Sequence, residues 1–245
     1  MPNYEVHYLS VSDADAIIIR YENSGDQYVV LIDAGNVSDS DKIKNYIWNH
    51  WKTYTIDLAI CTHPDSDHKG GFFGLLNDRD VIINEFWLNT PEDVIKEDEY
   101  NRLYPKRNRL SHCRECYDHP TDTDSLNLID LAVSNKCNVY GAYCGKIHSH
   151  IPISVVGPSL DFYHPLAIEI LKNNKRRKDE DNTIYNDIGY FSSVQAKSSI
   201  DDEPDDCSPT NAGSIRVVNF YCSVMQIELL SLMQFLIIRT CQAVE

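Results

Sequence analysis

One stretch constrains this chain more than any other. Ile56-Asp57-Leu58-Ala59-Ile60-Cys61 leads directly into His63-Pro64-Asp65-Ser66-Asp67-His68 and then Gly70-Gly71. The first part is apolar enough to read as a strand buried in a core. The second packs two imidazoles and two carboxylates into one short turn, and all four are ligands for hard or borderline divalent metals. A loop that leaves a core strand is a usual place for chemistry, because the strand holds its ends while the loop itself meets solvent.

The segments around this turn alternate in a definite order. Residues 6–9, 16–21 and 28–32 read as three early strands, with turn chemistry in Glu22-Asn23-Ser24-Gly25-Asp26 between the last two. Ser38-Asp39-Ser40-Asp41 can cap a helix through Ile43, Tyr46, Ile47 and His50. The strand at 56–61 and the turn follow, then a short helix using Phe72, Phe73, Leu75 and Leu76, then a strand at 81–87. Residues 91–136 read as mainly helical, and 151–158 as a strand stopped by Gly157-Pro158. Hairpin strands first, then strands alternating with helices, predict an α/β sandwich with sheets inside and helices outside. Residues 172–212 are rich in Lys, Arg, Asp and Glu and are expected to form a surface excursion or flexible insertion in a single domain spanning 1–245.

Composition narrows the function. The formal net charge of −15 argues against a broad basic face for nucleic acid or anionic membrane. A phosphate contact made through a metal stays open, since the ion supplies local positive charge. The first residues show no signal peptide, and the apolar stretch 227–238 is too short to span a bilayer. Eight scattered cysteines without such a signal read as reduced thiols in a cytoplasmic protein.

At His63-x-Asp65-x-Asp67-His68 the chain resembles the metallo-β-lactamase-fold hydrolases, whose signature is His-x-His-x-Asp-His after a core strand. The variant with aspartate in second place, followed by Gly-Gly, is similar to the ComEC-like subgroup, the soluble hydrolase domain of DNA-uptake proteins. Asp33 in Leu31-Ile32-Asp33-Ala34-Gly35 resembles the family's first acid, Asp13-Ala14-Asp15-Ala16 its opening hairpin, and Val155-Val156-Gly157-Pro158 a later strand ending. The resemblance implies an αββα sandwich. It implies that His63 and Asp65 hold one metal, that Asp67 and His68 hold a second, with Asp67 as the catalytic carboxylate, and that Asp33 orients the ligand loop from behind. Two divalent ions about 3.5–4 Å apart can activate a shared water. Aspartate in the second position makes the first site harder, so that manganese is tolerated beside zinc. The implied substrate is a phosphodiester, carried by a small molecule, a nucleotide or nucleic acid.

The resemblance thins toward the C-terminal end. The family's bridging aspartate and final histidine have no counterpart after the strand at 214–221, and the last histidine is His164. The expected sandwich is therefore incomplete there, with an atypical tail at 222–245. A reading frame shifted by two bases at Tyr221–Gln226 permits a family-like Leu-Phe-Ser-Asp-Ala or Leu-Phe-Gly-Asp-Ala turn. His148 and His150 are candidates for a late ligand, although loop histidines are more often solvated. His112-Cys113-Arg114-Glu115-Cys116-Tyr117-Asp118-His119 offers a competing zinc knuckle, cramped because its four ligands lie within eight residues. Two function classes follow beside that knuckle: a metal-dependent hydrolase, or a degenerate member of the fold that serves as a binding or regulatory module.

Overall fold

The computed structural model describes residues 3–11, 13–120, 126–179 and 215–219. Eight strands are present among them: β1 (Asn3–Tyr8), β2 (Ile17–Asn23), β3 (Asp26–Ile32), β4 (Thr55–Ile60), β5 (Ile82–Trp87), β6 (Asn138–Tyr140), β7 (Ile153–Gly157) and β8 (Arg216–Asn219). The first six form one sheet in sequence order, and β7 and β8 pair in a second. The β2–β3 hairpin closes on Ser24 and Gly25, both with positive φ, as a two-residue turn that matches strand twist requires. Strands β1 to β3 are antiparallel neighbours; β3, β4, β5 and β6 run parallel.

Parallel strands need crossovers, and the helices supply them. α1 (Ser40–Trp51) joins β3 to β4, and α2 (Ser66–Asn77) joins β4 to β5. Four short helices fill the span between β5 and β6: α3 (Pro91–Val94), α4 (Glu97–Leu103), α5 (Arg109–Arg114) and α6 (Leu128–Ser134). α7 (Leu160–Asp179) follows β7.

The large sheet is buried on both faces, which explains why its central strands read as continuous apolar runs. Ile18, Val29, Leu31, Ala59 and Phe86 pack with Ile43, Ile47, Phe72 and Phe73 of the helices. On the other face Val30, Ile32, Leu58, Ile60 and Trp87 pack with Ile153 and Val155 of the second sheet and with Ile215 just before β8. The predicted mixed α/β layering with sheets inside is the observed one.

Two elements depart from the sequence reading. β6 has three residues, too few to show a period, and exists because Phe86 and Trp87 offer it an edge. α7 extends through 172–179, where a surface excursion was expected to begin. Its residues Tyr163, Ala167, Ile170 and Leu171 are in the main core, and Asn174 is buried. The remainder of the expected insertion, 180–212, the frame-shift position at 221–226 and the tail at 222–245 lie outside the described residues. No helix among the described residues is long and apolar enough to cross a membrane.

Candidate metal centre

Register brings the ends of four parallel strands to one edge. Ile32 pairs with Ile60, Ile60 with Trp87, and Trp87 with Tyr140, so the chain leaves β3, β4, β5 and β6 on the same side. Beyond the carboxyl ends of parallel strands is where open α/β sheets bind their ligands. Here that edge carries Asp33 after β3 and Thr62 to His68 after β4.

Close approach of α2 to the loop after β3 builds the centre. The Ala34 N–H donates to the His68 carbonyl (2.8 Å), and the Gly71 N–H to the Gly35 carbonyl (3.1 Å). Side chains at 70 and 71 would prevent this contact. A Cβ on Gly71 would lie 2.0 Å from the Ala34 carbonyl oxygen, and one on Gly70 would lie 2.5 Å from the Val37 nitrogen. The Gly-Gly pair therefore lets the ligand turn sit against Asp33.

Asp33 ties the two imidazoles together. It is buried, with a left-handed φ of 55°, a conformation that aspartate tolerates better than most residues. Its Oδ1 accepts the Thr62 N–H (2.8 Å); its Oδ2 accepts the Thr62 hydroxyl (2.7 Å) and faces His68 Nδ1 (3.0 Å). Since the Thr62 hydroxyl gives its one proton to Asp33, its oxygen accepts from His63 Nδ1 (2.9 Å). The hydrogen-bond network thus assigns a proton to Nδ1 of both rings. Each Nε2 then faces outward: His63 Nε2 is 3.7 Å from Asp65 Oδ2, and His68 Nε2 is 3.6 Å from Asp67 Oδ2. The two rings lie 3.9 Å apart, centroid to centroid.

The charges follow from this wiring. Burial pushes His63 below the usual histidine range, and the charge of His68 pushes it further. Burial also works against a proton on His68, but the hydrogen bond to Asp33 and the charges of Asp33, Asp67 and Asp15 outweigh it, raising His68 to about 9. The wiring thus favours the proton on His68 over one on His63.

The structure brings His63, Asp65, Asp67, His68 and Asp33 close to one another. It adds Asp15, which sequence reasoning placed only in the opening hairpin; Asp15 Oδ2 is 3.9 Å from His68 Nε2. Asp65 and Asp67 also line a cavity of about 570 Å³ with Lys69, Glu115, Asp118, His119 and Asn174. Lys69, buried in α2, donates to the Cys116 carbonyl (2.6 Å).

The late-ligand candidates lie elsewhere. His148 Nδ1 accepts the N–H groups of His150 and Ile151 (3.2 and 2.9 Å), and its Nε2 faces Glu85 (3.7 Å). The His150 ring stacks over Tyr28, near the start of β3, roughly 16 Å along the strand from Asp33. Neither histidine is brought to the turn. The 112–119 knuckle does not form either. Cys113 and Cys116 are core thiols held up at about 12 by burial, and His112 bonds to the Tyr100 hydroxyl (2.7 Å) instead.

Ligand chemistry at the turn fits a divalent cation: two imidazoles with Nδ1 engaged and Nε2 outward, beside three carboxylates. In number the set is short, since among the described residues no group of three or more His, Cys, Asp or Glu side chains converges closely enough to hold an ion as it stands.

A family model places these features. The metallo-beta-lactamase superfamily model matches residues 10–164, and the chain belongs to that superfamily. Its members are generally metal-dependent hydrolases that bind divalent metals, usually zinc. A metallo-beta-lactamase-type protein of known structure from Thermotoga maritima is similar at 15% identity, with a TM-score of 0.34 over 63% of this chain and 65% of that one. This chain thus spans less than two thirds of that protein's length. No curated protein matches.

Proposed function

We propose that this chain is a metal-dependent phosphodiesterase of the ComEC-like branch, acting in the cytoplasm on a small-molecule or nucleotide phosphodiester with zinc or manganese. One observation carries the reading. A buried carboxylate, Asp33, fixes the tautomer of both His63 and His68, and turns each Nε2 toward a carboxylate on the wall of a cavity. A structural histidine pair does not need both ring nitrogens directed in this way.

In this reading His63 and Asp65 hold one ion, and Asp67 and His68 another. Bound divalent ions lower the pKa of water and neutralise charge developing on phosphoryl oxygens. The chain does the rest. Asp33 and Thr62 keep Nδ1 of each ring protonated and so keep Nε2 aimed outward. His68 gives up its Nε2 proton before it can serve as a ligand, with Asp67 and Asp15 nearest to that proton. Asp67, about half exposed at the cavity, can also take the proton of an attacking water. The cytoplasmic assignment agrees with the described cysteines at 61, 113, 116, 137 and 144, all free thiols.

The test uses the full chain, stripped with chelator and reloaded with Mn²⁺ or Zn²⁺, on bis(p-nitrophenyl) phosphate. Asp67→Ala and His68→Ala should each lower metal-dependent cleavage by roughly 10²-fold or more. Activity at the wild-type level in both variants refutes the site. A second reading, a non-catalytic binding or regulatory module, is favoured by the absence of a converging third ligand among the described residues. It predicts no bound metal on elemental analysis and no chelator effect on stability.

A further inference from the structure

We propose that a second cavity, lined by Lys106, Arg107 and Ser111, binds a further phosphate of the substrate, one that is not cleaved. The inference rests on the phosphodiester reading above and narrows it to substrates with two phosphates, such as an end-phosphorylated dinucleotide.

The first support is the donor set. The cavity, of about 280 Å³, lies where the loop after α4 meets the start of α5. Lys106 and Arg107, set against Glu115 as the carboxylate among its lining residues, leave one positive charge in excess, in a chain of formal net charge −15. Among the described residues the Lys106 side chain makes no ion pair or hydrogen bond. Glu115 Oε1 is 3.8 Å from Arg107 Nη2, too long for a hydrogen bond, so the guanidinium keeps donors for a ligand. Asn108 Oδ1 caps α5 by accepting the Ser111 N–H (3.0 Å), which leaves its amide NH₂ as the half that can donate outward. An ammonium, a guanidinium, an amide and a hydroxyl around one cavity suit phosphate oxygens.

The second support is how Arg107 is held. Its Nη1 lies 2.8 Å from Nε2 of His112, a buried ring, and that same Nε2 lies 3.1 Å from the Leu171 carbonyl of α7. With a lone pair Nε2 accepts from Arg107; with a proton it donates to Leu171. It cannot do both. The Tyr100 hydroxyl, 2.7 Å from Nδ1, serves either tautomer, since it can accept or donate. An anion can therefore take the guanidinium without leaving the buried ring unbonded, which would otherwise oppose binding. A basic pair on a plainly solvated face needs no such partner behind it.

The third support is position. Glu115 lines both this cavity and the larger one that carries Asp65 and Asp67, so the two adjoin at that residue. Asn174 of α7 ties them further: it lines the larger cavity, and its Nδ2 donates to the His112 carbonyl (3.3 Å). A substrate whose scissile phosphate lies at the turn after β4 has its next phosphate directed along this wall toward Lys106 and Arg107. The net acidity of the chain confines that attraction to the one place where cations outnumber carboxylates.

The test has two parts. Inorganic pyrophosphate, titrated by calorimetry into the full chain freed of metal with chelator, probes the cavity alone. The wild type should bind it saturably. Arg107→Gln and Lys106→Gln should each weaken binding by about tenfold or more, while Arg102→Gln, at an exposed position outside the cavity, stays within about twofold. No saturable binding by the wild type, or binding unchanged in either cavity variant, overturns the site. Lys106 is exposed, so its variant decides should Arg107→Gln fail to fold. The substrate assignment is read on the Mn²⁺-loaded chain, using thymidine dinucleotide with a terminal phosphate at its 5′ or 3′ end and the same dinucleotide without one. The wild type should prefer one phosphorylated form by about tenfold or more in kcat/KM, and Arg107→Gln should bring that ratio to within about twofold of unity. A wild type without preference, or an Arg107→Gln variant that keeps it, overturns the assignment. A wild type that cleaves none of the three refutes the phosphodiesterase reading and the substrate assignment with it, while the pyrophosphate titration still decides the site.

Discussion

Replacing Asp33 with Asn tests the wiring of the centre without involving metal or substrate. The change keeps size and shape but removes the charge, and it leaves one oxygen where there were two. The amide nitrogen cannot accept from both the Thr62 hydroxyl and His68 Nδ1, which the wild-type Oδ2 does at 2.7 and 3.0 Å. The magnitude follows from His68. Its rise from 6.5 to about 9 corresponds to ~3 kcal/mol at ~1.4 kcal/mol per pH unit. A raised folded-state pKa stabilises fully below the unfolded value and is lost as pH rises through the folded one. The metal-free wild type should therefore lose ~2 kcal/mol of this contribution between about pH 7 and 9. Urea denaturation in the presence of chelator, at several pH values across that window, reads it. Asp33→Asn should lose the Asp33 share of this contribution near pH 7, Asp67 and Asp15 keeping the rest, together with the Thr62 bonds, worth about 1–3 kcal/mol, and the gap should narrow toward pH 9. Groups away from the centre contribute to both proteins alike, so the difference reads the Asp33-linked imidazoles. Parallel curves for the two proteins would refute the account of the centre given above.

Two further expectations come from packing. Gly71→Ala places a methyl group 2.0 Å from the Ala34 carbonyl oxygen, so α2 must move away from the Asp33 loop; a loss of about 1–3 kcal/mol or more in urea midpoints, with weaker metal binding, is expected, and a wild-type midpoint contradicts it. Cys113→Ala and Cys116→Ala remove core thiols and should each cost ~1–2 kcal/mol, leaving bound metal per chain on elemental analysis unchanged. A loss of metal in either variant would restore the knuckle.

The strands of the large sheet were legible where burial on both faces makes the signal continuous, as in Tyr28 to Ile32 and Ile56 to Ile60. β6 was not, because three residues carry no period and an edge on β5 decides their conformation. α7 was missed because Pro165 falls inside it and its residues beyond 171 are all polar and mostly charged. Its burial comes from packing on α3 and α5, which are distant in sequence. His148 and His150 had the right side chains in a loop of the right kind, and only the fold shows their contacts to be with Glu85 and Tyr28. Cys113 and Cys116 had the spacing of a ligand pair, but on α5 and the turn after it they face the core.

By itself the sequence determined the donor types and their grouping. His63, Asp65, Asp67 and His68 are near neighbours along the chain, and a strand followed by a helix start at Ser66 is a local matter of apolar pattern and turn residues. Tertiary structure alone decided which ring nitrogen is tied and which is open, because that depends on hydrogen bonds from Asp33 to residues 29 and 35 positions away. It also decided that Asp15 belongs to the centre and that His148 and His150 do not. The physical reason is the same in each case. Ligand chemistry resides in a side chain, but the direction in which it is presented is set by partners that burial and sheet register bring together from distant parts of the chain.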